Sequence, residues 1–293
     1  MTAVNVREEA MSIACAGESL LGIVSRPAQH EAAHDLGVVI VVGGPQYRAG
    51  SHRQFVLWAR ALAAAGVPTL RFDARGMGDA GGAQRAFTEL DDDIVAAIDA
   101  FADTGRVRRV VLAGLCDGAS AALLYLRAKP DPRVCGLVLL NPWVRSTDSE
   151  ARTIVRHYYL QRLADRGFWI KLLRGQVARG ALREAVARLR KLFGMRLGAR
   201  SNGDGPSATG YQARMAAALA ALEGPVLLVL SGEDYTAREF ADHAASDPTW
   251  QRALTKPNVR RLDIPGADHT FSDASHRRRL ERASVAWLAE VGT

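Results

Sequence analysis

Four stretches of this chain are almost wholly apolar and only seven to nine residues long: "LGVVIVVGG" from Leu36, "RVVLAGL" from Arg109, "VCGLVLLNP" from Val134 and "PVLLVLS" from Pro225. None alternates polar and apolar residues as a strand with one wet face must, so each predicts a strand covered on both sides. All are too short to cross a bilayer. Between and after them lie segments with apolar residues at helical spacing, such as "SHRQFVLWARALAAAG", "TELDDDIVAAIDAFADTG" and "SDASHRRRLERASVAWLAEVG". Strand and helix in alternation predict βαβ units, and hence an α/β class with a doubly wound, mostly parallel sheet. Ahead of them, "MSIACAGESLLGIVSRP" reads as an antiparallel hairpin turning near Gly17.

The rhythm breaks once. From Trp143 to about Gly205 strand signals stop, and "SEARTIVRHYYLQRLADRGFWIKLLRG" and "ALREAVARLRKLFG" carry helical spacing. The expected organisation is therefore a core of residues 1–142 and 206–293, with a helical insertion at 143–205 after the sixth strand. Such an insertion is expected to act as a lid over the carboxyl ends of the strands, where open α/β sheets bind ligands. It also explains the charge. The chain carries a net +7, yet Arg145 to Arg200 alone holds fourteen Lys/Arg against four Asp/Glu, leaving the remainder near neutral. A basic lid suits a phosphate or carboxylate on a substrate. No nucleic-acid reading motif accompanies it, so no nucleic-acid partner is expected.

Three scattered cysteines, Cys15, Cys116 and Cys135, form neither a disulfide framework nor a zinc site. The start of the chain has charges where an export signal would need its apolar core, so a cytoplasmic protein without a transmembrane segment is expected. No constellation calls for a metal or a bound cofactor.

One cysteine stands apart. In "RRVVLAGLCDGASAALLYL", Cys116 lies between Gly114 and Gly118, where an apolar strand gives way to a helix. This is the form of a nucleophile elbow, a sharp turn needing glycine where flanking elements pass too close for a Cβ. A helix N-terminus there favours a thiolate and offers N–H groups to an oxyanion. A thiol nucleophile needs a histidine base, and the base an orienting acid, arriving in the chain order nucleophile, acid, histidine. Past the insertion stand His243, His269 and His276. His269 follows a predicted strand in "LDIPGADHTFSD", whereas the others fall in helices. The acid belongs at the tip of the preceding strand, where "PVLLVLSGEDYTA" offers Glu233 and Asp234. Asp234 is chosen as the shorter carboxylate. It also suits the helix cap there.

Together these residues resemble the α/β-hydrolase superfamily. "RFDARGMGDAGG" is similar to the loop after the fourth strand in its esterase branches, and "GADHTFSD" to their histidine loop. More narrowly, "VVGGPQYRAGSHRQF", "GLCDGAS", "NPWVRS", "HYYLQRL" and "SGEDYTAREF" resemble the exosortase A system-associated hydrolase 1 family, which accompanies PEP-CTERM protein sorting and exopolysaccharide synthesis. The resemblance implies an esterase or thioesterase acting on a small-molecule acyl ester or thioester, carrier-linked in one version. Cysteine in place of serine is similar to dienelactone hydrolases and to polyhydroxyalkanoate synthases, so acyltransfer is the alternative, and a non-catalytic accessory role a second. Where the esterase pattern has His-Gly-X, this chain has Gly43-Gly44-Pro45, and proline has no N–H to offer. The expected oxyanion donors are then the amides of Asp117 and Gln46. Tyr47, Arg48 and Trp143 are expected at the substrate mouth.

Overall fold

The computed structural model describes residues 6–28, 35–44, 46–104, 107–145 and 210–292. The chain divides into two units, Met1–Arg145 with Tyr211–Thr293, and Ser146–Gly210. From residue 146 to 209 the expected insertion lies outside the described residues.

Strands β1 (Val6–Cys15) and β2 (Glu18–Pro27) form the expected hairpin, joined by Ala16 at φ 49° and Gly17 at φ 85°. Two left-handed residues make a turn whose twist matches that of the flanking strands. There follow β3 (Leu36–Val41), α1 (Gln54–Ala64), β4 (Thr69–Phe72), α2 (Asp91–Asp103), β5 (Arg109–Leu115), α3 (Asp117–Ala128) and β6 (Val134–Leu140). After the insertion come α4 (Tyr211–Ala221), β7 (Val226–Ser231), α5 (Tyr235–Ser246), α6 (Pro248–Leu254), β8 (Val259–Ile264) and α7 (Ala274–Val291).

The eight strands form one sheet in the order β1-β2-β4-β3-β5-β6-β7-β8. Strand β2 pairs antiparallel with β1 and β4, and every other pairing is parallel. Successive residues of the central strands enter opposite apolar layers. Val39, Leu112 and Leu139 pack with Phe101, Leu123 and Met215, whereas Val38, Val111 and Val138 pack with Trp58, Leu62 and Trp287. Both faces are dry, which is why the runs show no polar alternation.

Charge enters this core once it is paired. Asp93, in the first turn of α2, is fully buried and accepts from the Arg75 backbone at 2.8 Å and from its guanidinium at 2.7 Å. That pair ties the loop after β4 to α2. Removing one partner of such a pair costs about 3–5 kcal/mol, because the other charge stays buried alone.

Candidate active site

The carboxyl ends of β3, β5, β6, β7 and β8 all point to one edge of the sheet, and the loops leaving them carry the expected site residues. Cys116 follows β5 directly with φ 60° and ψ −125°, a backbone state a non-glycine residue rarely holds. Four hydrogen bonds over-determine it, one of them from Ser120 Oγ to its carbonyl at 3.3 Å. Its N–H donates to the Leu140 carbonyl at 2.9 Å, and its carbonyl accepts from Ser120 N–H and Trp143 N–H, each at 3.2 Å.

The flanking glycines are steric necessities. A Cβ on Gly114 would lie 2.4 Å from the Gly118 carbonyl carbon, and one on Gly118 would lie 2.3 Å from the Val41 oxygen. Both neighbours are backbone and cannot swing aside. Gly118→Ala is therefore expected to destabilise the protein by about 2 kcal/mol or more, through strain that displaces β3 from α3. Urea unfolding measures this, and an unchanged midpoint would contradict it.

Asp234 caps α5, accepting from Thr236 N–H at 3.1 Å and Ala237 N–H at 3.2 Å. The same carboxylate, with the residue only 7% exposed, accepts from His269 Nδ1 at 2.8 Å. Capping and orienting are thus one arrangement, since the bonds to α5 aim the carboxylate at the imidazole. Glu233 turns outward to Arg238 at 3.1 Å. His276 lies in the first turn of α7 and His243 in α5, against Trp250.

His269 sits in the loop after β8. Burial disfavours its charged form, but the Asp234 carboxylate and the Cys116 thiol outweigh that as hydrogen-bond partners and as charges, and its pKa is pushed up to about 10. With Nδ1 committed to Asp234, Nε2 is left for the thiol. The arrangement can hold an imidazolium beside a thiolate, or move a proton between sulfur and ring.

Asn141, just beyond β6, was not singled out in sequence. It is fully buried at φ 44° and joins two arms of the site. Its Nδ2 donates to Ser231 Oγ at 2.9 Å and the His269 carbonyl at 3.4 Å, while its Oδ1 accepts from Ser231 N–H at 2.9 Å. A buried amide therefore holds the end of β7 and the histidine loop in register. The signal available in sequence was an asparagine at the end of an apolar run.

The remaining expected residues divide. Trp143 is bonded to Cys116 through its backbone, and its indole lies under the Arg145 guanidinium at 4.7 Å. Arg145 in turn pairs with buried Glu239 at 3.0 Å. Tyr211, whose hydroxyl donates to the Arg145 carbonyl at 2.6 Å, has its phenol pushed up to about 12, mainly by burial and then by the Glu239 carboxylate. Tyr47 is 50% exposed. Arg48 is engaged within the protein, its guanidinium bonded to Asp73 and, at 2.7 Å, to Asp79. Gln46 is half-buried, and Pro45 before it lies outside the described residues. The Asp117 carboxylate accepts from Gly44 N–H at 2.7 Å. Among the described residues no group of His, Cys, Asp and Glu could hold a metal ion.

Residues 38–283 match the model of the alpha/beta hydrolase family. The chain belongs to that family. Among solved structures, it is similar to an esterase from Pyrococcus furiosus at 16% identity and TM-score 0.63, covering 98% of this chain and 92% of that one. It is also similar to Est1E from Butyrivibrio proteoclasticus, solved with ferulic acid bound, at 18% identity and TM-score 0.62, covering 96% and 99% of the two chains. An esterase from Thermogutta terrifontis, with malate bound, follows at 21% identity and TM-score 0.59, covering 97% and 100%. At these identities the likeness concerns the fold. No curated protein matches the sequence. Among the described residues of this α/β-hydrolase family member, no helix is long and apolar enough to cross a membrane.

Proposed function

We propose that this protein transfers acyl groups through a thioester on Cys116, with His269 as base and Asp234 as its orienting acid. The observation that carries the reading is His269 itself, bonded to buried Asp234 at 2.8 Å and partnered on its other side by the thiol of a strained elbow. His269 takes the thiol proton before the attack, in keeping with its raised pKa, and Sγ of the resulting imidazolium–thiolate pair attacks the acyl carbonyl carbon. The amides of Asp117 and Gln46 stabilise the oxyanion. Collapse breaks the bond to the alcohol or thiol, which leaves with the proton from His269. Water then gives its proton to His269 and attacks the thioester, releasing the acid and returning the proton to sulfur. An acceptor other than water makes the same site an acyltransferase.

Trp143, through its tie to the Cys116 carbonyl, is the better placed of the expected substrate contacts, with Tyr47 at the exposed rim. Arg48 is better read as fastening its own loop, given its bonds to Asp73 and Asp79. Ferulic acid and malate in the neighbouring esterases motivate small carboxylic acyl groups as the first substrates to try. A role beside PEP-CTERM sorting and exopolysaccharide synthesis rests on the sequence resemblance, and residues 143–205 as a substrate-selecting lid on their basic, helical pattern after the sixth strand.

The test is intact mass after incubation with a panel of activated esters and acyl thioesters, followed by digestion. An acyl-sized adduct on the peptide holding Cys116 is expected. A panel that yields neither adduct nor turnover would favour an accessory protein built on a hydrolase fold.

A further inference from the structure

The loop between β3 and α1 has a weakness that the elbow answers. Its Gly44 amide is followed by Pro45, which has no N–H, so Gln46 is the next residue able to donate. Glycines at 43 and 44 leave the backbone free to wander unless something holds it. Two carboxylates do, one on each side of Gln46. Asp117 Oδ2 accepts from Gly44 N–H at 2.7 Å, a contact spanning 73 residues of chain. Asp73 Oδ1 accepts from Arg48 N–H at 2.6 Å.

The first contact is close-fitting. A Cβ on Gly43 would lie 2.1 Å from Asp117 Oδ1 and 2.2 Å from Gly118 N, so only glycine admits the carboxylate between loop and helix. Burial raises the Asp117 pKa, opposed by the amides of Gly44, Asp117 and Gly118 and by His269. The carboxylate thus lies among the very N–H groups that surround an oxyanion site. A half-buried acid one residue from the proposed nucleophile is an electrostatic burden on a developing oxyanion, which its hold on the Gly44 amide would offset.

We propose that Asp117 is a positioning residue for the oxyanion site, its side chain pinning the Gly43–Gly44 backbone to the first turn of α3 so that the Gln46 amide is held for the acyl oxygen. The proposal rests on acyl transfer at Cys116. Asp73 completes the clasp from the other side, and Arg48 reinforces Asp73 by bonding to it and to Asp79.

The test compares two reactions of the same sulfur in Asp117→Ala, Asp117→Asn and Asp117→Glu. Acylation by an activated ester passes through an oxyanion. Alkylation by iodoacetamide does not. In the alanine variant, acylation is expected to slow by about 10²-fold, as for a lost oxyanion donor, while alkylation stays within about threefold. Asparagine, whose amide oxygen still accepts from Gly44, is expected to recover most of that loss. Glutamate, one methylene longer, is expected to resemble alanine, and serves if the alanine variant does not fold. Equal acylation in alanine and wild type would overturn the proposal. So would asparagine as slow as alanine, or acylation and alkylation falling together, which would mean that Asp117 merely supports the elbow. Wild-type protein that alkylates but never acylates would instead remove the acyl-transfer reading itself.

Discussion

Replacing Cys116 by alanine is expected to lower kcat/KM for an activated ester by about 10⁴-fold or more, the scale of losing a nucleophile from a triad that works as a unit. Stability should change little. The side chain is only half-buried, and the backbone bonds that hold φ at 60° come from Leu140, Ser120 and Trp143 rather than from the thiol. Alanine at that position removes the sulfur and leaves the elbow, so the melting temperature is expected to stay within a few degrees. The measurement is steady-state hydrolysis of a chromogenic ester beside a thermal melt. A variant that folds and keeps its rate would place the chemistry elsewhere. Activity lost together with several degrees of stability would leave the two effects unseparated, and intact-mass trapping on wild type then decides.

Asp234→Asn is expected to lower kcat by up to about 10⁴-fold while sparing the helix it caps. Asparagine is as good an N-cap as aspartate, and its one oxygen keeps the bond from Thr236, although the bond from Ala237 goes to the atom that faces His269 and is lost when NH₂ stands there. The bond to His269 does not survive in the same sense. An amide NH₂ facing Nδ1 takes the lone pair there and leaves Nε2 protonated toward the thiol, the wrong tautomer for a base. Asp234→Ala should lose the same activity and about a further 1 kcal/mol of stability with the cap.

The pH dependence follows from the same contact. The pKa of folded His269 is raised to about 10. Its contribution to stability is therefore fully present below the unfolded histidine value of about 6.5 and is lost progressively as pH climbs toward the folded one. The stability advantage of wild type over Asp234→Asn, measured by urea unfolding, should be largest near pH 6 and vanish above about pH 10. An advantage that instead grows with pH would mean that His269 is held neutral, and that the Asp234 contact does not stabilise an imidazolium.

Much of this was legible before any coordinates. The four apolar runs are β3, β5, β6 and β7, and the Gly-x-Cys-x-Gly spacing is the turn at the end of β5. His269 was separable from His243 and His276 because a loop after a strand differs from a helix in pattern. Helices α4 and α6 were not assigned. The first, "YQARMAAALAA", is too rich in alanine for its apolar face to stand out, and the second is only seven residues long.

The sequence by itself determined the layered architecture, the strand count around the core and the place of the Cys116 turn, because burial and steric demand are written in run length and glycine spacing. Only the tertiary structure decided which polar atoms meet. Asn141 reaches Ser231 across 90 residues and Asp117 reaches Gly44 across 73, contacts that depend on which strand ends lie side by side in the sheet. Arg48, read in sequence as a substrate contact, was already engaged by Asp73 and Asp79. A charged side chain has no periodicity to announce its partner. Its partner is set by the topology, β3 lying between β4 and β5, and the arrangement of the site was settled there.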